Sequence, residues 1–256
     1  MPHLELIACA KFLPVSRGEE KKLVPASIGQ NVATGPFDDT ARKMAELYIG
    51  CLAACIGTNV ELDRPTNSIG DNPDVLFDVE ETQHISRIRR WALAIKTIST
   101  TSGQTVFERI EEAAQQIDSP RCKADVGMVI INAKSALDHD SLWNPPAPFA
   151  NLGEAVNALG SQLKALGKAA EKDRNPSEWE RLFRGKAVRP VLFMGQSAVR
   201  LPPPAGAETA TALKLLMPYE AAGTGDPVAT ALAELLNSHM QNILLGIPGG
   251  PDHAPR

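Results

Sequence analysis

The sequence predicts an α/β fold in which a mixed central sheet is flanked by helices. Helix-like and strand-like patterns alternate along the chain, the order expected when helices pack on one sheet. Residues 124–134, ADVGMVIINAK, form an almost continuous apolar run rich in valine and isoleucine. Such a run is typical of a strand covered on both faces. The 256 residues are 43% hydrophobic and 22% charged, which is an ordinary globular composition.

Two amphipathic helices are predicted on either side of a pair of strands. The first spans residues 38–56, with apolar side chains at helical spacing after an Asp-Thr start and with Gly57 at its end. The second spans residues 103–120, with glutamates around its polar side and Pro120 ending it. Both helices are expected to pack on the sheet through their apolar sides.

The strands between these helices read as a hairpin over residues 74–80 and 87–99, joined by a polar connection. If position sums near 170 describe their antiparallel pairing, Asp74 lies opposite Lys96 and residue 76 lies opposite Ala94. Because side chains alternate between the faces of a strand, Ala94 and Lys96 share one face. The hairpin therefore brings Asp74 and Lys96 together at one end.

Proline-rich breaks divide the rest of the chain and suggest its organisation. The C-terminal half reads as a helix over 151–174, a strand over 187–199 and a closing helix over 226–245. The predicted organisation is an N-terminal extension (1–37), a core (38–143) and a C-terminal part that packs on or extends the core (144–256).

Composition and cysteine spacing exclude several classes of protein. The four cysteines form no CxxC pair, so neither a zinc ribbon nor a disulfide framework is indicated. The N-terminal apolar run is too short for a signal peptide, and no stretch is long enough for a membrane span. The expected location is therefore cytoplasmic, with no membrane partner. The net charge of −4 limits any nucleic-acid site to a local patch.

Chemistry is suggested by Pro73-Asp74 at the start of the first hairpin strand, Ala94-Ile95-Lys96 on the second, and Glu46 on the preceding helix. In these residues the chain resembles the PD-(D/E)xK nuclease superfamily, over roughly residues 38–135. The resemblance implies a restriction-endonuclease-like core. It also implies that Asp74, Lys96 and Glu46 are catalytic, with Asp74 and Glu46 binding Mg²⁺ or Mn²⁺.

The chain departs from the family pattern at Ala94, where the family has an acid two residues before the lysine. In the family, a carboxylate from the helix after the lysine strand often takes its place. Glu108, Glu111 and Glu112 are the candidates here, and Glu111 is the preferred metal ligand. Asp78 is a poorer candidate, because it lies about 13 Å along the strand from Asp74.

Two functions follow from the resemblance. The first is a metal-dependent nuclease that hydrolyses phosphodiester bonds of DNA, because carboxylates hold a hard cation and a lysine stabilises developing charge. The second is an inactive protein of the same fold that binds nucleic acid or acts in assembly, its chemistry lost with the acid at position 94. A homodimer or a partner protein is compatible with either function, and the sequence does not decide.

Other polar clusters carry a functional and a structural interpretation each. Arg87, Arg89 and Arg90, close to His84, are candidates for binding DNA phosphates. The structural alternative is that Arg87 and Arg89 form the solvated edge of a hairpin. The Asp138-His139-Asp140 run is a possible catalytic group, but a loop cap is favoured. Cys51 and Cys55, one helical turn apart, are interpreted as core packing rather than a metal site.

Overall fold

The computed structural model describes residues 39–63, 72–81, 87–201 and 209–245. The predicted N-terminal extension, Cys9, His84 and the C-terminal tail lie outside these ranges. In chain order the elements are α1 (Asp39–Ile56), β1 (Thr58–Leu62), β2 (Val75–Glu81), β3 (Arg87–Thr97), α2 (Gly103–Asp118), β4 (Val126–Asn132), α3 (His139–Trp143), α4 (Leu152–Lys172), α5 (Pro176–Leu182), β5 (Val191–Leu201), β6 (Thr209–Tyr219) and α6 (Pro227–Leu245). A short 3₁₀ turn, Lys134–Ala136, follows β4.

The six strands form one mixed sheet in the order β1-β2-β3-β4-β5-β6. The first three strands make an antiparallel meander, β3, β4 and β5 run parallel, and β6 returns antiparallel to β5. The helical crossover between β3 and β4 is α2, as a parallel pair requires. The predicted α/β class, a mixed sheet flanked by helices, is confirmed.

The helices cover both faces of the sheet. On one face, α2 and α4 pack against a core that includes Ala92 and Ala94 of β3. On the other face, α1 and α6 pack against a second core that includes Trp91, Leu93 and Ile95. Every residue of β4 is buried, as its continuous apolar run predicted. We refer to these as the α2 face and the α1 face.

The hairpin register differs from the predicted one by two residues. Val75 pairs with Leu93 and Leu76 with Ala92, so the position sum is 168. The predicted pairings of residue 76 with Ala94 and of Asp74 with Lys96 are therefore wrong. The ladder ends at the pair of Glu81 and Arg87. Because the side-chain period of a strand is two, this shift leaves every side chain on its predicted face.

Four elements were not predicted from the sequence: β1, β6 and the short helices α3 and α5. The strand β6 extends the sheet at its far edge, and Pro218 within it pairs with Leu192. An edge strand tolerates proline because one side of its backbone needs no ladder hydrogen bond. None of the helices in the described part of the chain is both long enough and apolar enough to cross a membrane.

Candidate active site

Asp74 stands where β2 begins, beside the part of β3 that extends past the end of the β2–β3 ladder. Its backbone N–H donates to the Leu93 carbonyl at 3.1 Å. Its carboxylate Oδ2 accepts a hydrogen bond from the backbone N–H of Ile95 at 2.6 Å. The partly buried carboxylate is therefore tied to β3 one residue before Lys96.

Lys96 lies on the α2 face of β3, two residues after Ala94, and is half-buried. Burial lowers the pKa of its ammonium group, because a charged group loses hydration there. The carboxylates of Asp74 and Glu112 oppose this shift, so both lie within electrostatic range of the ammonium. The observed register places Asp74 opposite Ala94, so the predicted pairing of Asp74 with Lys96 is wrong, although the charge of Asp74 still acts on Lys96.

Ala94, where the resemblance leads one to expect an acid, is fully buried in the core of the α2 face. Its methyl group supplies no ligand. Any carboxylate that joins Asp74 must therefore come from another element.

The glutamates of α2 point to different neighbours. Glu111 pairs with Arg181 of α5 at 3.3 Å, and Glu108 accepts a hydrogen bond from Gln104 at 2.6 Å. Glu112, which pairs with Arg109 at 2.7 Å, is the one whose charge acts on Lys96. Glu112 is therefore the acid of α2 whose charge reaches Lys96, and Glu111 as a metal ligand stays a prediction.

Glu46 is buried on α1, which packs on the face opposite Lys96. It forms ion pairs with Lys43 at 3.4 Å and with Arg42 at 3.8 Å. The positive charge of Arg42 contributes to the lowered pKa of Lys96. The beginning of α1 therefore lies within electrostatic range of Lys96. A role of Glu46 in the site stays a prediction.

Within the described ranges of the chain, no three side chains of histidine, cysteine, aspartate or glutamate gather into a cation site. The acids whose charges act on Lys96 are Asp74, just before β2, and Glu112 of α2. Magnesium commonly binds through one or two carboxylates and completes its coordination with water and substrate phosphates. Asp74 and Glu112 are hard oxygen donors near the same ammonium group, so the donor set fits such an ion.

The predicted arginine cluster lies at the opposite end of β3. Six residues separate Arg90 from Lys96, about 20 Å at the usual rise of a strand. Arg89 and Arg90 form ion pairs with acids of the neighbouring strands, whereas Arg87 is exposed. The pairs are Arg90–Asp78 at 2.9 Å, Arg90–Glu61 at 2.7 Å and Arg89–Glu81 at 3.4 Å. Arg89 and Arg90 thus link strands of the hairpin region through ion pairs, and DNA binding by the cluster stays a prediction.

Asp78 belongs to the same distant end of the hairpin. Asn59 donates a hydrogen bond to its carboxylate at 2.8 Å, and Arg90 donates another at 2.9 Å. These two bonds hold the pKa of Asp78 below its ordinary value. Through these contacts Asp78 of β2 connects β1 and β3.

The Asp138-His139-Asp140 run forms a helix cap, which agrees with the favoured interpretation of this run as a loop cap. Asp138 caps α3 by accepting a hydrogen bond from the Ser141 N–H at 3.1 Å. His139 Nε2 lies 2.7 Å from the Lys134 carbonyl, and its Nδ1 lies 2.9 Å from the Ser197 hydroxyl. Since a carbonyl only accepts, Nε2 carries a proton and donates it to Lys134.

Arg109 and Arg42 were missed at the sequence level. Each lies one helical turn before a glutamate of the candidate site, at the (i, i+3) or (i, i+4) spacing that brings helical side chains together. That spacing was a readable signal. It was not interpretable alone, because such pairs are common on solvated helix faces.

The chain was compared with protein-family models, with curated proteins and with solved structures, and none of them matches it.

The packing around Ala94 makes the site testable by substitution. We expect Ala92→Glu, which buries a carboxylate in the same core, to lower the free energy of unfolding by about 3 kcal/mol or more. Ala94→Glu is expected to destabilise the protein by about 1.5–3 kcal/mol less than Ala92→Glu does. The reason is that the Lys96 ammonium group, on the same face, can form an ion pair with the new carboxylate. Urea unfolding of both variants measures the difference. Equal losses of unfolding free energy in the two variants would mean that Lys96 does not pair with a carboxylate at position 94.

Proposed function

We propose that the protein is a metal-dependent nuclease that hydrolyses phosphodiester bonds of DNA. The observation that carries the proposal is that Asp74 is tied to β3 one residue before Lys96, whose ammonium group feels its charge. One carboxylate there is fixed by the backbone of β3, and a half-buried ammonium group follows on the α2 face. These residue types in this arrangement match the nuclease superfamily that the sequence resembles. DNA as the substrate rests on that resemblance.

Asp74 and Glu112 are the residues that would hold Mg²⁺ or Mn²⁺, with Glu46 as a third ligand by resemblance. When bound, the ion would polarise the phosphate and lower the pKa of a bound water. Asp74 suits this role because its hydrogen bond from Ile95 orients the carboxylate before any ligand arrives. A preoriented ligand loses less conformational entropy on binding.

Lys96 supplies the positive charge of the site. Its ammonium group can bind a non-bridging phosphate oxygen and stabilise the negative charge that grows there as water attacks the phosphorus. Partial burial strengthens this interaction, because water screens the two charges less. Burial also lowers the pKa of Lys96, which makes its proton easier to transfer than that of a solvated lysine.

Two neighbouring glutamates provide a matched pair for testing the ligand assignment. Glu112→Gln is expected to raise the Mg²⁺ concentration needed for plasmid cleavage by about tenfold or more, since a group at the metal site is lost. Glu111→Gln removes the same charge from the same helix, and also breaks one ion pair to an arginine. It is expected to leave the metal requirement unchanged. Thermal shift with Mg²⁺ and Mn²⁺ gives an independent measure. Equal effects of the two substitutions would contradict the assignment of Glu112.

A second candidate function is a nucleic-acid-binding or assembly protein without catalytic activity. It is favoured by the buried methyl group of Ala94 and by the absence, in the described residues, of a three-ligand cation site. In that case the wild type shows no thermal shift with Mg²⁺ and cleaves neither plasmid nor single-stranded DNA with any divalent ion. DNA binding would then persist when Asp74 is replaced.

A further inference from the structure

One half of the β6 edge is closed to further strands by side chains of α6. The backbone N–H of Leu216 donates to Asn237 Oδ1 at 3.0 Å, and the carbonyl of Lys214 accepts from Gln241 Nε2 at 2.6 Å. The two amide side chains lie one helical turn apart. Pro218, two residues further along β6, has no N–H to satisfy. The outward backbone groups of this half are therefore occupied or missing, which protects an edge strand from pairing.

The other half of the β6 edge is open. The outward direction alternates along a strand in a continuous ladder, so the N–H and C=O groups of Ala210 and Ala212 point outward as those of Lys214 and Leu216 do. They make no hydrogen bond to the described part of the chain. Ala210 is exposed and Ala212 is half-buried. We call residues 209–213 the open edge, and none of its side chains is charged.

The opposite edge of the sheet, β1, carries features that protect an edge strand. Its ladder with β2 is irregular between Thr58 and Glu61, and Asn59 between them has a positive φ of 51°. The side chain of Glu61 is largely exposed there. Irregular ladders and charged side chains both discourage pairing with another strand. Of the two edge strands that the structure describes, β6 is therefore the one with an unprotected stretch.

We propose that two copies of the chain associate through the open edge, with the two β6 strands antiparallel about a two-fold axis, so that the two sheets become continuous. A second copy fits the open edge because it brings a stretch of the same length with the matching pattern of donors and acceptors. Its side chains are uncharged, so no like charges meet across the axis. The proposal does not depend on nuclease activity.

The closed half of β6 selects the register of this pairing. Outward-facing residues of two antiparallel strands lie opposite each other and exchange both backbone hydrogen bonds. Gln241 already occupies the Lys214 carbonyl. The register that uses both open residues and leaves Lys214 out sets Ala210 of one copy opposite Ala212 of the other. Thr211 then faces its own counterpart at the two-fold axis. Such a short contact buries little surface, so the dimer is expected to be weak.

The first test measures the oligomeric state of the full chain by sedimentation equilibrium between about 10 µM and 1 mM, the range of a weak complex. We expect the wild type to shift from monomer to dimer with concentration. Ala212→Pro removes one outward N–H, and Pro218 shows that an outward position of β6 accepts proline without losing its pairing to β5. It should weaken the dimer about tenfold or more, because the symmetry doubles the loss of hydrogen bonds. Ala212→Ser keeps the N–H and should dimerise within about twofold of the wild type.

The second test traps the register with disulfides. Thr211→Cys places two thiols opposite each other in a pair without hydrogen bonds, where Cα atoms lie about 4.5 Å apart, within the range that a disulfide spans. Ala212→Cys places them diagonally, about 7–8 Å apart. Under mild oxidation we expect at least about fivefold more covalent dimer from Thr211→Cys than from Ala212→Cys. The wild type gives the background from the native cysteines.

Three results would each overturn the proposal. The first is a wild type that stays monomeric over the whole range, which would leave an extended segment of another protein as the occupant of the open edge. The second is an Ala212→Pro variant that is folded by circular dichroism and dimerises as well as Ala212→Ser. The third is equal crosslinking of the two cysteine variants, and this comparison decides if Ala212→Pro does not fold.

Discussion

Lys96→Met is expected to reduce metal-dependent DNA cleavage by about 10²–10³-fold while the protein stays folded. The size follows from removing one charged donor aimed at the charge that develops in the transition state. Methionine has a similar length and fills the same half-buried space on the α2 face. Cleavage rates at saturating Mg²⁺ measure the effect. Lys164→Met, at an exposed position of α4, provides a control that should keep wild-type cleavage.

The stability of Lys96→Met gives a second readout with a defined sign. Burial depresses the pKa of Lys96, so between that lowered value and the ordinary value of 10.5 the folded protein binds fewer protons than the unfolded chain. The cost of holding a charged lysine there is full at neutral pH and is relieved as the pH rises through this window. Lys96→Met should therefore be at least as stable as the wild type at neutral pH, with its advantage shrinking toward alkaline pH. A substitution that unfolds the protein would show that Lys96 has a structural role.

Asp74→Asn is expected to abolish detectable metal-dependent cleavage, a loss of about 10²-fold or more, because an amide is a far weaker ligand for Mg²⁺ than a carboxylate. Asparagine keeps an oxygen that can accept the Ile95 N–H, so the fold should persist. Asp74→Ala removes that acceptor as well, and it should lower the free energy of unfolding by about 1–3 kcal/mol. Cleavage assays and urea unfolding of the two variants separate the chemical role from the structural one.

Asp78→Asn controls for the general effect of losing a carboxylate from β2. Asp78 lies on the same face as Asp74, but it is bonded to Asn59 and Arg90 at the other end of the hairpin. We expect it to reduce stability by about 1 kcal/mol and to leave cleavage at the wild-type rate. If Asp74→Asn cleaves DNA as well as Asp78→Asn does, the proposed site is wrong.

Hydrophobic periodicity in the sequence was sufficient to predict the elements that bury most surface. The continuous apolar run of β4 and the apolar stripe of α2 each have one stable arrangement, a strand covered on both faces and a helix lying on a sheet. Alternation along β3 also placed Ala94 and Lys96 on one face. These features are local, because the period of side chains along an element is set by backbone geometry.

The hairpin register and the edge strand β6 were decided only by tertiary structure. Alternation repeats every two residues, so it identifies a face but cannot distinguish position sums of 168 and 170. The strand β6 contains Pro218, which argues against a strand in sequence alone. It is stable as a strand because β5 offers it a complete partner along the edge of the sheet.

Sequence periodicity likewise could not decide between Glu111 and Glu112 in the candidate site. Consecutive helical residues point about 100° apart, so the two glutamates lie on different flanks of α2. Which flank turns toward Lys96 depends on how the helix rolls against the sheet and against α4 and α5. The residue types, a carboxylate at the start of β2 and a lysine on β3, were readable from the sequence. The partners of each charge were set by packing, because they come from elements far apart in the chain.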